Sequence, residues 1–135
     1  METAVPSRAI TTPSLWAGRV MSGIVIAFLL FDGIIKLIPL DIVVTTSEQL
    51  GIPAHLAHTL GALTLASTIL YAIPRTSMLG AILLTAYLGG AIYTHLRVGS
   101  PMFSHTLFGV YLGLMVWGGL YLRDERVRDL IPLQR

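Results

Sequence analysis

The sequence predicts an all-α polytopic membrane protein, a four-transmembrane-helix bundle that makes a single domain of residues 1–135. Hydrophobic residues make up 54% of the chain and charged residues only 12%, a composition outside the usual range of soluble domains. Four apolar runs each approach the length of about 20 residues that crosses a bilayer as a helix. The polar sequence left between these runs is too short to form a separate soluble domain.

The four predicted spans cover approximately residues 15–38, 55–73, 78–96 and 102–122, and residues 123–135 form a tail. Trp16 and Tyr121 lie near span ends, as aromatic anchors at a membrane interface do. Pro74 stops the second span, because a proline disfavours helical structure in the residue before it. Pro101 suits the first turn of the fourth span, where its missing N–H has no helical partner to lose.

The segment between the first and second spans, PLDIVVTTSEQLGIP, is longer than a simple turn. Thr45, Thr46 or Ser47 can cap a short helix here, and Gly51 can end it. Because the segment also carries several aliphatic side chains, we expect it to lie in the membrane interface and to cover the outer end of the bundle.

Lysine and arginine are unevenly distributed between the two sides of this topology. Seven of the nine fall on one side, namely Arg8, Arg19, Arg75, Arg123, Arg126, Arg128 and Arg135. Only Lys36 and Arg97 fall on the other side. Because cytoplasmic loops carry an excess of basic residues, we expect a multi-pass protein of the inner or plasma membrane with both termini in the cytoplasm. The polar N-terminal stretch does not have the pattern of a secretory signal, so the first span is expected to be retained.

Several classes of chemistry are excluded by composition and motif content. The chain has no cysteine, which excludes disulfides, thiolate metal sites and thiol catalysis. Its basic residues form no stripe, so we expect no nucleic-acid partner. The glycines of YLGGAIY lie inside a predicted helix and do not form a phosphate-binding loop. No serine lies in the sequence context of a hydrolase nucleophile.

Ionisable side chains gather near the span ends that this topology places on the outer side of the membrane. They are Asp32, Lys36, His55, His58, His95, Arg97 and His105. At about 1.5 Å rise per residue, they occupy a slab roughly 10 Å deep. Asp32 and Lys36 are four residues apart, so they share one helix face and can form an ion pair.

We expect these side chains to form a shared polar pocket in the outer leaflet, because an acid within a membrane span is by default part of a functional site. The alternatives are structural: Lys36 can extend to the lipid headgroups, Arg97 can be an interfacial anchor, and histidines at helix ends can simply face the interface.

The candidate catalytic residues are Asp32, Lys36, His58, His95 and His105. Imidazole titrates near neutral pH, and a neighbouring carboxylate or ammonium group can tune it for acid–base work. Tyr87, Tyr93 and Arg97 are candidate substrate-binding residues that donate hydrogen bonds to a carbonyl; for each tyrosine, packing with a satisfied hydroxyl is the alternative. No metal site is predicted, because the His55-x-x-His58 spacing is a weak motif. The residues specify no cofactor.

Three stretches, FDGIIKLIP, YAIPRTSMLGAILLTAYLGGAIYTHLRVG and LYLRDERVRDLIP, resemble the DoxX-like family of small four-helix membrane proteins. The positions that coincide with the recurrent family pattern are Gly33, Lys36, Arg75, Thr76, Gly80, Tyr87, Gly89, Gly90, His95 and Arg97. The resemblance implies a link to membrane redox complexes and quinones for some relatives, and chaperone or cargo-receptor roles for more distant ones. Relatives often carry an acid in the middle of the second helix, where this chain has Thr64, which puts any activity that needs this acid in doubt.

Three functional hypotheses follow from the pocket and the resemblance. The first is a pocket that binds a lipophilic small molecule, with a quinone as the leading candidate, in membrane-associated redox chemistry. The second is a cofactor-independent acid–base enzyme, of isomerase or cyclase type, acting on a lipophilic substrate. The third is a non-catalytic assembly or scaffold subunit. The expected partners are the lipid bilayer, the lipophilic ligand and, for some of these roles, a second copy of the chain or a larger membrane complex.

Overall fold

The computed structural model describes residues 10–38, 40–53 and 55–131, and all regular structure within these ranges is helical. The long helices are α1 (Thr12–Leu37), α3 (Leu56–Ala72), α4 (Ser77–Arg97) and α5 (Phe108–Arg123). Two short helices, α2 (Asp41–Gln49) and α6 (Glu125–Leu130), follow α1 and α5 respectively. The predicted all-α class is confirmed, and α1 begins three residues earlier than expected, at Thr12 instead of residue 15. Arg8 and Arg135, which contribute to the predicted orientation, lie outside the described residues.

Within the described part of the chain, three helical segments are long and apolar enough to cross a membrane: Thr12–Leu37, Ser77–Arg97 and the continuous segment Met102–Arg123. The remaining apolar helix, α3, has 17 residues. At about 1.5 Å per residue it is roughly 25 Å long, which is shorter than the ~30 Å hydrocarbon core of a typical bilayer.

Hydroxyl side chains close the tight turn between α3 and α4. Thr76 Oγ1 donates to the carbonyl of Leu70 at 2.7 Å, and Ser77 Oγ is 2.9 Å from the carbonyls of both Tyr71 and Ile73. These bonds satisfy carbonyl groups at the end of α3 that have no helical partner. The turn therefore holds α3 and α4 as antiparallel neighbours.

Two elements differ locally from the sequence-based prediction. The short helix α2 begins at Asp41, so Thr45, Thr46 and Ser47 lie inside it and do not cap it, whereas Gly51 with a φ of +70° follows its end as expected. The fourth predicted span begins with five π-helical residues, Met102–Thr106, before the regular helix α5. Such π-turns are rare and often occur at functional sites.

The four long helices pack in a cycle, in which α1 and α4 each contact both α3 and α5. Glycines allow the closest approaches. A Cβ at Gly80 would overlap the backbone of Tyr71 and lie 2.5 Å from its Cα, and a Cβ at Gly18 would lie 2.7 Å from the carbonyl oxygen of Gly119. Small residues at helix contacts let backbones approach in lipid, where packing drives helix association.

A polar network at the end of the helices near the α3–α4 turn was not predicted from the sequence. The hydroxyl of the fully buried Tyr71 donates to the carbonyl of Val116 at 2.7 Å and lies 2.9 Å from Ser22 Oγ. Arg123 Nε donates to the same Ser22 Oγ at 2.9 Å. This network joins α1, α3 and α5, and its contacts within the fold explain it as a structural feature.

Candidate functional site

The centre of the candidate site is the side chain of Lys36, the only lysine in the chain. Its Nζ donates to Asp32 Oδ2 at 2.6 Å and to Tyr87 Oη at 2.6 Å. The helical spacing of four residues places Asp32 beside Lys36 on α1, whereas Tyr87 comes from α4. The polar triad of Asp32, Lys36 and Tyr87 therefore bridges two helices that are not sequence neighbours.

Lys36 and Tyr87 of the triad have hydrogen-bond donors that remain available to a ligand. An ammonium group has three N–H donors, and Lys36 uses two of them on Asp32 and Tyr87. The Tyr87 hydroxyl accepts from Lys36, and no acceptor for its own hydrogen is found within residues 10–38, 40–53 and 55–131. A ligand oxygen next to the triad can thus receive a charged N–H and a phenolic O–H from adjacent atoms.

The triad borders a cavity of about 520 Å³, called the large cavity below. Its walls come from four elements: Asp32, Ile35 and Lys36 from α1; Ile42, Val43, Thr46 and Ser47 from α2, with Leu50 and Ile52 after it; Ala57 and Leu60 from α3; and Ala86, Tyr87, Gly90, Ala91, Thr94 and His95 from α4. The volume lies within the range of about 300–1,000 Å³ for small-molecule sites. A mostly apolar wall with a few convergent polar groups is also the usual composition of such sites.

A second, small cavity of about 140 Å³ lies on the α5 side of the triad. It shares Asp32, Lys36, Tyr87, Ala91 and His95 with the large cavity. Its other walls include the phenyl rings of Phe28 and Phe108, which meet edge to face with centroids 5.2 Å apart. The polar groups therefore form a partition between two spaces, and they are accessible from both.

Two histidines lie at the end of this partition near the C-terminus of α4. His95 borders both cavities, and its Nδ1 is 3.0 Å from Ser100 Oγ. His105, in the π-helical turn, borders the small cavity and lies 2.7 Å from Ser104 Oγ through Nδ1. The two imidazole rings are edge to face with centroids 5.9 Å apart. This pair provides titratable groups between the exposed π-turn and the triad.

The structure brings together Asp32, Lys36, Tyr87, His95 and His105 of the predicted site residues, and it separates the others from them. His58 is exposed and borders neither of the two cavities described above. Tyr93 is 66% exposed on the outer surface of α4. His55, a member of the predicted pocket, is likewise exposed just before α3.

Arg97 also borders neither cavity, but it contacts the segment that covers the large one. Its guanidinium donates to the carbonyl of Leu50 at 2.7 Å. The next residue is Gly51, where a Cβ would lie 2.9 Å from the same guanidinium nitrogen. Because Leu50 and α2 line the large cavity, Arg97 positions its wall from α4.

The sequence pattern along one side of the large cavity has two structural meanings. Ala86, Gly90 and Thr94 follow one another at a spacing of four residues on α4, which is typical of close helix packing in membranes, yet all three line the large cavity. A Cβ built on Gly90 meets nothing within 4 Å. Small residues at a spacing of four allow either close packing or an open space, so this pattern alone does not distinguish them.

Thr64 lies outside this site. Its side chain is fully buried, its hydroxyl donates to the carbonyl of Leu60 at 2.8 Å, and it borders neither of the two cavities. Within the described ranges, no group of three or more His, Cys, Asp or Glu side chains is arranged to hold a metal ion.

Comparison with protein families agrees with this architecture. The model of the DoxX-like family matches residues 20–119. The chain belongs to the DoxX-like family. The match includes the triad, His95 and His105, and the earlier resemblance is thereby confirmed. As a DoxX-like protein with long apolar helices, it is a multi-pass protein of the lipid bilayer. Comparisons with curated proteins and with solved structures find no match.

Proposed function

We propose that this DoxX-like protein binds a lipophilic molecule with a carbonyl group, foremost a quinone, in the large cavity and takes part in membrane redox chemistry. The observation that carries this proposal is the pair of donors on Lys36 and Tyr87 that have no acceptor among the described residues, beside an otherwise largely apolar space. A cation and a phenol held by a protein scaffold favour an oxygen on which negative charge develops, since their orientation is fixed before the ligand arrives.

Each polar residue has a separate role in this proposal. Lys36 and Tyr87 donate to the ligand carbonyl, and Asp32 orients the lysine through its 2.6 Å bond. His95 exchanges protons with the bound ligand, and His105 connects it to the exposed π-turn. Arg97 holds the wall formed by α2 in place through its hydrogen bond to the carbonyl of Leu50. This role is indirect, whereas the sequence led us to expect that Arg97 contacts the substrate.

The proposal includes a four-span topology with both termini in the cytoplasm. It takes α3 as a further span beside the three longer segments, shortened because its outer end meets the segment that contains α2. The supporting features are the apolar sequence of α3 and the excess of arginine near the α3–α4 turn and the tail. In this topology α2 lies in the outer interface, and the triad lies within the outer leaflet.

A cavity that borders the ion pair favours ligand binding over a purely structural pair. Charged side chains within the membrane are costly in free energy, and a pair with a purely structural role gains no stability from an open space beside it. The same groups also suit acid–base catalysis without redox change, and this reaction class is an outcome of the tests below.

The test compares two neighbouring glycines on α4. Gly90→Leu places a side chain in the large cavity, whereas Gly89→Leu places it on the exposed face; a Cβ meets nothing within 4 Å at either position. The two variants therefore gain the same helix propensity, and only one of them fills the cavity. We expect Gly90→Leu to weaken binding of a short-chain benzoquinone to protein in lipid nanodiscs at least tenfold, and Gly89→Leu to leave it unchanged.

The single lysine supplies an independent readout. Protein labelled with ¹⁵N-lysine has only one side-chain ammonium signal, and the quinone is expected to shift it in the wild type and in Gly89→Leu but not in Gly90→Leu. Equal binding by both glycine variants would show that the large cavity is not the site. Absence of quinone binding by the wild type would overturn the quinone assignment, and turnover of a carbonyl substrate without an electron acceptor would favour the acid–base enzyme.

A further inference from the structure

The large cavity is open at a position far below the outer ends of the helices. Ala86 and Gly90 line it, and both are also exposed on the surface of α4. Counted from Arg97 at the end of α4, they lie about 10 to 16 Å along the helix axis at 1.5 Å per residue. In a spanning helix this depth corresponds to the hydrocarbon region of the bilayer.

The opening lies on the side of α4 that faces α3. Ala86 and Gly90 share the large cavity with Ala57 and Leu60 of α3, whereas Leu88 on the other side of α4 borders the small cavity toward α5. The neighbouring surface is apolar and exposed. Leu63, one turn after Leu60, is 53% exposed, and Leu83, one turn before Ala86, is 40% exposed. A molecule in the cavity can therefore extend onto an apolar surface without crossing a polar barrier.

The volume of the cavity limits what it can enclose. It is about 3.5 times the ~150 Å³ of a cavity that holds one benzene molecule, so a substituted ring and a short stretch of chain fill it. A longer hydrocarbon chain does not fit inside and therefore has to extend out of the cavity. The exit past Ala86 and Gly90 keeps this chain in an apolar environment throughout, which avoids the free-energy cost of hydrating it.

We propose that the ligand is a lipid with a long hydrocarbon or isoprenoid chain, whose polar ring binds at the triad and whose chain leaves between α3 and α4 past Ala86 and Gly90. This inference rests on the proposed function and narrows its ligand class from lipophilic molecules in general to chain-bearing membrane lipids. Ligand entry and release then occur within the bilayer, and α2 with the Arg97–Leu50 contact can stay in place during both.

The competing route is an opening beside α2. Ile42 and Thr46 also line the large cavity and are exposed, at the outer end of the fold. A compact ligand that arrives from water would use this route, and a chain-bearing lipid would not need it. The two routes predict different surroundings for two positions, Gly90 and Thr46, so they can be distinguished without any ligand.

The absence of native cysteine makes single-cysteine spin labelling direct. Labels are attached to Gly90→Cys, to Gly89→Cys as a lipid-facing reference and to Thr46→Cys, and each protein is reconstituted into vesicles. Collision with oxygen reports contact with hydrocarbon, and collision with a water-soluble nickel chelate reports contact with water. We expect the Gly90 label to match the Gly89 label, with several-fold less nickel contact than the Thr46 label. A Gly90 label as accessible to nickel as the Thr46 label would overturn the lateral opening.

A second measurement follows the ligand chain. Two benzoquinone probes carry a photoreactive diazirine, one next to the ring and one at the end of a long isoprenoid chain, and the labelled residues are identified by mass spectrometry. We expect the ring probe to label residues of the large cavity and the chain probe to label the exposed faces of α3 and α4. Gly90→Leu removes both patterns, and Gly89→Leu retains both.

The outcomes separate this inference from the proposed function. Ring labelling in the cavity combined with chain labelling on α2 or α5 would overturn the lateral exit alone. If the ring probe labels no residue of the large cavity, or if Gly90→Leu does not reduce that labelling, the ligand site is wrong. The chain assignment then fails with it.

Discussion

Removal of the positive charge at Lys36 tests the central ion pair most directly. Lys36→Met keeps the length and the apolar stem of the side chain, but it leaves the Asp32 carboxylate without its cation at 2.6 Å. Breaking a buried pair in this way costs about 3–5 kcal/mol, whereas exposed pairs are worth about 0–1 kcal/mol. The two side chains are 23% and 27% exposed, so the pair is mostly but not fully shielded from solvent. We therefore expect Lys36→Met to lower the free energy of unfolding by about 2 kcal/mol.

The double variant isolates the charge effect from the loss of packing. Asp32→Asn together with Lys36→Met removes both charges, so no uncompensated carboxylate remains, and its stability is expected within about 1 kcal/mol of the wild type. The single Asp32→Asn variant completes a double-mutant cycle, which gives the coupling energy between the two side chains. The assay is reversible unfolding in mixed micelles of increasing denaturing-detergent content, followed by helical circular dichroism. A single Lys36→Met variant as stable as the wild type would show that the ammonium group interacts with headgroups and water instead of Asp32.

Three further predictions concern contacts that shape the site and the fold. Gly80→Ala is expected to destabilise the fold by about 1–3 kcal/mol, because the new methyl group overlaps the backbone of Tyr71; detergent unfolding measures this, and a neutral effect would contradict the close α3–α4 packing. Gly51→Ala is expected to loosen the attachment of α2, because Gly51 has a φ of +70° and a Cβ there would lie 2.9 Å from the Arg97 guanidinium. Hydrogen exchange in α2 is expected to be faster than in the wild type, and unchanged exchange would refute this. Asp124 accepts a hydrogen bond from Arg126, which holds the pKa of the Asp124 carboxyl below its ordinary value. The stabilisation of α6 by the ionised Asp124 is therefore fully present above about pH 4 and is lost as the pH falls through the lower folded-state pKa. Hydrogen exchange of α6 at several pH values is expected to show this loss in the wild type and not in Asp124→Asn, and identical profiles would contradict it.

The sequence by itself determined which segments are helical. Apolar runs of the right length, Pro74 at the end of α3 and Gly51 after α2 act locally, so they are readable without knowledge of the neighbours. The contact between Asp32 and Lys36 is equally local, because a spacing of four residues fixes it on one helix face. The family assignment was also contained in the sequence, as the match over residues 20–119 confirms.

The tertiary structure decided which of the polar residues predicted for the site meet. Tyr87 and Tyr93 lie on the same helix and looked alike as candidates, but only Tyr87 reaches Lys36, whereas Tyr93 faces outward. Likewise, His95 lines the large cavity, whereas His58 is exposed away from it. The rotation of one helix relative to another depends on close approaches such as Gly80 against Tyr71, which involve residues far from the site.

The cavity is likewise a property of the assembled helices. Small residues at Ala86 and Gly90 permit a close contact or an open space, and the neighbouring helix decides between them. Local sequence specifies backbone conformation and the face that a side chain occupies on its own helix. The position of that face relative to the other helices, and hence any site between them, follows only from how the whole set of side chains packs.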